Sequence, residues 1–156
     1  MEKVKIVDFE IGNKAHQNAF KQINYDWIEK YFKVEKSDTE SLENPEIYFI
    51  NRGGAIVLAE KDGEFLGTAA LKSMGNKSYE LCKMGVLESA RGHGLGELIA
   101  KAAIEKAKQL NAKRVYLETN SSLSPAISLY KKLGFEQIEN FTSPYERADV
   151  AMEVHL

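Results

Sequence analysis

The run from Tyr79 to Phe135 constrains the fold more than any other part of the chain. YELCKMGV, residues 79 to 86, reads as a strand. Arg91-Gly92-His93-Gly94-Leu95-Gly96 then turns the chain. A helical pattern covers Ser89 to Leu110 after that glycine-rich start. Its apolar face is Leu95, Leu98, Ile99, Ala102, Ala103, Ile104 and Leu110. RVYLETN, residues 114 to 120, is the next strand. Pro125 stands near the start of a second helix, where a missing N–H costs least, and Gly134 caps its end. A strand delivering the chain through glycines into a helix is a common way to hold a phosphate on backbone amides.

The first half reads differently. Lys3 to Phe9 alternates as a strand, and Gly12-Asn13 breaks it. Ala15 to Phe32 is helical, in one piece or two, with Phe20, Ile23, Trp27 and Tyr31 as its apolar stripe. A short helix begins around Asp38, and Pro45 to Phe49 continues as a turn or short helix. AIVLAEK (55 to 61) and EFLGTAALKSM (64 to 74) flank Asp62-Gly63, a strong hairpin signal. Gly75 to Ser78 turns into the strand at Tyr79, giving three antiparallel strands in series. After Gly134, residues 135 to 140 and 148 to 156 read as strands. The class is α+β or α/β: one mixed sheet with helices on both faces, in a single domain over residues 1–156.

Composition excludes several functions. A net charge of −2 over 156 residues carries no basic surplus for nucleic acid. No apolar run approaches the ~20 residues of a membrane span. Cys82 is the single cysteine, so no internal disulfide forms. The opening MEKVKIVDFE alternates and does not read as a signal peptide. The expectation is a cytoplasmic protein with neither nucleic-acid nor membrane partners. His16, His93 and His155 show no ligand spacing, so no catalytic metal is expected.

Two familiar phosphate loops do not match the turn. Gly92, Gly94 and Gly96 give G-x-G-x-G rather than G-x-G-x-x-G, after a strand of an antiparallel series. A nucleoside-triphosphate loop needs Gly-Lys-Ser or Gly-Lys-Thr, where this chain has Gly96-Glu97-Leu98.

Arg91, Gly94 and Gly96 do fill a different signature: Gln or Arg, two free positions, Gly, one free position, then Gly or Ala. One helix and one strand later, Ala126 to Phe135 ends in Leu129-Tyr130 and Gly134-Phe135. With both motifs at that spacing, the chain resembles the Gcn5-related N-acetyltransferases. The resemblance implies a GNAT-like, mostly antiparallel central sheet flanked by helices, with a splayed parallel strand pair. It implies acetyl-CoA as co-substrate, lying in the splay between strand 79–87 and strand 114–120.

By the same resemblance, Met84, Gly85 and Val86 offer backbone groups to the pantetheine arm and thioester. Amides from Arg91 through Gly92, His93, Gly94, Leu95 and Gly96 hold the pyrophosphate. Arg91 itself either reaches a phosphate or frames the turn, and His93 shapes the turn or touches phosphate. Asn120 resembles an asparagine that touches the pantetheine arm, but it precedes Ala126 by six positions, more than usual. Ser122 or Ser124 is the alternative contact. Tyr130 occupies the position whose hydroxyl faces the cofactor sulfur. Glu80, six residues before Val86, matches a glutamate used as base, and Glu118 on the neighbouring strand competes with it. If no bulge intervenes, alternation puts Glu80, Cys82, Met84 and Val86 on one face.

The implied reaction is attack of a primary amine on a thioester. A lysine-like amine has a pKa near 10.4, so a base and an oxyanion donor are called for. Trp27, Tyr31, Phe32, Glu35, Tyr145, Glu146 and Arg147 are the acceptor candidates. Acidic groups suit a cationic amine, whereas Arg147 suits an acceptor carboxylate. The expected acceptor is a small-molecule amine. A protein or peptide amine is the alternative, and a non-catalytic acyl-CoA sensor is a third reading. The final strand, from Asp149 to Leu156, is a candidate homodimer contact.

Overall fold

The computed structural model describes residues 3–156. Met1 and Glu2, which begin both the expected domain and the segment read as not a leader, lie outside the described residues. The strands are β1 (Lys5–Asp8), β2 (Ala55–Lys61), β3 (Glu64–Gly75), β4 (Ser78–Val86), β5 (Arg114–Thr119), β6 (Glu136–Ile138) and β7 (Val150–His155). The helices are α1 (Lys14–Tyr31), α2 (Lys36–Glu43), α3 (Pro45–Tyr48), α4 (Leu95–Gln109) and α5 (Ser124–Lys132). The strands form one sheet in the order β1-β2-β3-β4-β5-β7-β6. Every pairing is antiparallel except β4 with β5. The mixed, mostly antiparallel sheet expected from the sequence is therefore present, with helices on both faces.

Alternation along β2 shows how the faces divide. Ile56 and Leu58 join Phe20, Ile28, Leu42 and Phe49 on the α1–α3 side. Val57 and Ala59 join Leu95, Ile99, Ala103 and Ala107 of α4 on the other. A two-residue period in the strand meeting a 3.6-residue period in the helices is what creates two cores from one sheet.

Local boundaries depart from the sequence reading where polar and apolar periods overlap. α1 is one continuous helix, capped by Asn13, whose side chain accepts from the His16 N–H at 3.1 Å. Its buried stripe runs through Phe20, Ile23 and Ile28, while Tyr31 is exposed. Residues 88–90 form a short 3₁₀ turn, so the helix expected from Ser89 begins at Leu95. The strand expected over 135–140 shortens to β6. β7 is paired with β5 on one side and with β6 over Ala151–Glu153 on the other, so the strand named as a dimer contact is an interior one.

β4 holds the feature that shapes the site. Thr68 pairs with Gly85 and Ala70 with Cys82, so two steps on β3 oppose three on β4. The extra residue is accommodated at Lys83, which adopts φ +50°. Such a bulge bends and twists its strand. It also reverses the facing of the residues beyond it. Cys82 packs with the α1-side core, whereas Met84 and Val86 pack with the α4-side core. The shared face expected for Glu80, Cys82, Met84 and Val86 is thus broken after Cys82. Past the bulge Gly85 turns toward α1, where a Cβ would lie 2.4 Å from Trp27 Cδ1. Only glycine lets the indole pack that closely on the strand.

Candidate active site

β4 and β5 pair only at Ser78–Arg114, Tyr79–Val115 and Glu80–Tyr116. Beyond Glu80 the two strands part, and a cavity of about 730 Å³ opens between them. β4 therefore carries a stretch of backbone with β3 on one edge and the gap on the other. Met84, Gly85 and Val86 line that gap, as do Arg91, Gly92, Gly94, Leu95 and Gly96 at its α4 end. A smaller depression of about 350 Å³ between α1 and the α2–α3 corner has no strand edge in it.

At the head of α4, Gly94 is the N-cap in a left-handed conformation with φ +73°. No side chain caps this helix. Its first amides thus keep their hydrogen-bonding capacity at the positive end of a four-turn dipole, an arrangement suited to an anion. Arg91 is directed elsewhere: its Nη1 donates to the Tyr31 hydroxyl at 2.6 Å, and its guanidinium lies 5.5 Å from that ring. In this structure the arginine closes the turn against the end of α1. His93 is exposed and is not part of the cavity wall.

Tyr130 of α5 lines the α4 half of the cavity. Its ring packs 5.8 Å from Phe135, and the residue is buried. The hydroxyl has no hydrogen-bond partner among the described residues. Among the described residues no buried side-chain nitrogen or oxygen lacks a partner, so this hydroxyl opens on the cavity. Burial pushes its pKa up to about 12. Asn120 is spent on the chain itself: it donates to the Arg147 carbonyl at 2.6 Å and accepts from the Ser122 N–H at 2.8 Å. Ser122 is exposed at the rim.

The two carboxylate candidates have different surroundings. Glu118 accepts from the Tyr116 hydroxyl at 2.7 Å and from the Ser143 hydroxyl at 2.5 Å. Glu80, on the cavity wall, has no side-chain hydrogen-bond partner among the described residues. Burial raises its pKa to about 7, with the neighbouring Glu118 charge adding to the effect. The Glu80 surroundings follow a general pattern in which burial and a neighbouring carboxylate bring a carboxyl into the neutral range. Cys82 lies beside them, and burial raises its thiol above the ordinary range, which makes it unreactive.

On the α1 side, the cavity wall includes Trp27, Tyr31, Phe32, Lys83, Tyr145 and Arg147. Lys83 and Asp38 form the part that the sequence did not disclose. The Asp38 carboxylate is completely buried and takes Lys83 Nζ at 2.6 Å. Its Oδ1 and Oδ2 also accept from Arg147 Nη2 and Nη1 at 2.6 and 2.8 Å. Asp38 is on α2 and these partners come from β4 and the β6–β7 loop, 45 and 109 residues away, and no local spacing announces such a cluster. Among the described residues, no group of three or more His, Cys, Asp or Glu is placed to hold a metal ion. None of the described helices is long and apolar enough to cross a membrane.

A family model described as the acetyltransferase (GNAT) family matches residues 21–135. An uncharacterised N-acetyltransferase of Escherichia coli, YjgM, is 38% identical over 90 residues, covering 56% of this chain and 54% of the relative. The chain spans about half the length of the curated relatives it matches. A GNAT acetyltransferase of Staphylococcus aureus superposes with a TM-score of 0.86 at 21% identity, over 97% of this chain and 98% of the other. An acetyl-CoA-bound GNAT acetyltransferase of Elizabethkingia anophelis gives a TM-score of 0.74 at 18% identity, over the full length of both. At these identities the structural matches speak for the fold.

Proposed function

The chain belongs to the acetyltransferase (GNAT) family, and on that premise we propose that it is a single-domain, acetyl-CoA-dependent N-acetyltransferase acting on a small-molecule primary amine. The observation that carries this reading is the parting of β4 and β5. It brings an open strand edge, an uncapped helix N-terminus, an unpaired carboxyl and an unpaired tyrosine hydroxyl into one cavity. The Elizabethkingia protein of the same fold binds acetyl-CoA, which supports the choice of donor.

The roles rest on the geometry. The α4 amides from Leu95 onward face the diphosphate, and the edge of β4 from Met84 to Val86 aligns the pantetheine arm and thioester. Glu80 accepts a proton from the acceptor ammonium or, through water, from the attacking nitrogen. A carboxyl with a pKa of about 7 is well matched to that task at neutral pH. The nitrogen attacks the acetyl carbonyl, the N–C bond forms, the C–S bond breaks, and the nitrogen's surplus proton leaves to Glu80, or to water where Glu80 has already taken the ammonium proton. The Tyr130 hydroxyl, held protonated by its raised pKa, donates to the departing thiolate and is reprotonated from solvent. Glu118 stays fixed by Tyr116 and Ser143 and attracts the cationic acceptor.

Small acceptors are favoured because the 143–147 loop is pinned across this end of the cavity. The Glu146 N–H and Arg147 Nη1 both donate to Glu35, at 3.0 and 3.3 Å, while Asp38 holds Arg147 from below. The test is CoA release with mass identification of the acetylated product, using polyamines, aminoglycosides, amino acids and peptides. Acetylation of small amines is expected. Tight CoA binding without transfer to any of them would make the chain an acyl-CoA sensor instead.

Tyr130→Phe separates chemistry from binding. The expected result is a loss of at least about tenfold in kcat, below the full range of acid catalysis because a thiolate leaves readily, with little change in KM for acetyl-CoA. Unchanged turnover between pH 6 and 9 would remove Tyr130 from the mechanism.

A further inference from the structure

Arg147 is held on one edge and open on another. A guanidinium has five N–H donors. Both Nη1 protons are directed at carboxylates, one at Asp38 Oδ2 and one at Glu35 Oε2, and one Nη2 proton goes to Asp38 Oδ1. The Nε–H and the second Nη2–H have no partner among the described residues. They lie side by side on one edge of the guanidinium. Because no buried side-chain nitrogen among the described residues lacks a partner, the unpaired Nε is not fully buried, and Arg147 is one of the residues that line the cavity. The group is also clamped by its surroundings, with the rings of Tyr145, Trp27 and Phe32 lying 4.5, 5.7 and 5.9 Å from its central carbon.

Such an edge matches the two oxygens of a carboxylate, and its fixed orientation lowers the entropic cost of using it. The charges around it are already balanced. Lys83 and Arg147 offset Asp38 and Glu35 within one hydrogen-bonded cluster. Glu80 and Glu118 remain on the wall of the same cavity, where they suit an ammonium. The cavity thus offers an acidic pair to a cation and one open guanidinium edge to an anion. We infer that the acceptor is an amino-acid-like amine, whose carboxylate is held by the Nε–Nη2 edge of Arg147 while Asp38 fixes that edge in place.

This inference rests on the transferase reading, and one experiment distinguishes their failures. Acetylation by the full chain is measured for a series of free amino acids, each beside its own carboxamide. The expected result is a free acid whose kcat/KM exceeds that of its amide by at least about tenfold, carried mainly in KM, as a charge-assisted bidentate contact provides. In Arg147→Gln that preference disappears while KM for acetyl-CoA is retained. Equal turnover of acids and amides, a preference for polyamines or peptide N-termini, or a preference that survives Arg147→Gln overturns the inference and leaves the transferase standing. Absence of transfer to every amine overturns both.

Discussion

Glu80→Gln is expected to lower kcat by about a hundredfold at pH 7.5, the scale of a positioned general base. The wild-type kcat/KM should rise with pH through about 7, because Glu80 accepts a proton only when ionised. Glutamine removes that rise. Its effect on stability has the opposite sign. A carboxyl whose pKa is raised in the folded state supports the fold fully below its unfolded value, near 4.5, and that support is lost as pH rises through about 7. At pH 8 the variant should therefore unfold at the same temperature as the wild type or a higher one. A fall in activity without a fall in stability assigns Glu80 to chemistry. An unchanged rate and pH profile would instead place the proton route on water and backbone.

Asp38→Ala is expected to destabilise the fold by about 3–5 kcal/mol, because it leaves the buried Lys83 ammonium without its carboxylate and Arg147 with Glu35 alone. For a domain of this size that is a drop in Tm of about 10 °C, read by calorimetry or thermal denaturation. The pH dependence comes from its ionisation. Burial alone would raise the Asp38 carboxyl, but the hydrogen bonds from Arg147 and the charge of Lys83 outweigh it and hold the pKa down at about 2. The stabilisation is present above the unfolded value near 3.8 and is lost as pH falls through about 2. A loss under about 1 kcal/mol in Asp38→Ala would mean that the cluster adds nothing beyond packing.

Residues 79–135 were legible because each element there is marked by a local cause. Glycines set the turn before α4, Pro125 opens α5, Gly134 closes it, and apolar spacing gives the strands. Tyr130 and Glu80 both line the cavity. The bulge was not legible, because a lysine in a left-handed conformation leaves no trace in composition or period. The shared face for Glu80, Cys82, Met84 and Val86 was conditional on an unbroken strand, and the bulge turns Met84 and Val86 to the other side. Asp38 was visible only as a helix start. Its role depends on partners from β4 and the β6–β7 loop, which only the folded sheet brings together. Arg91 matched its motif position, yet its side chain rests on Tyr31.

The bulge at Lys83 has an evolutionary consequence. By switching facing in mid-strand, β4 turns Met84 and Val86 to the α4 side and keeps Cys82 and Lys83 on the α1 side. On the proposed transferase reading, substitutions around the acceptor can thus accumulate on one side of a single strand while the edge facing the donor stays in register.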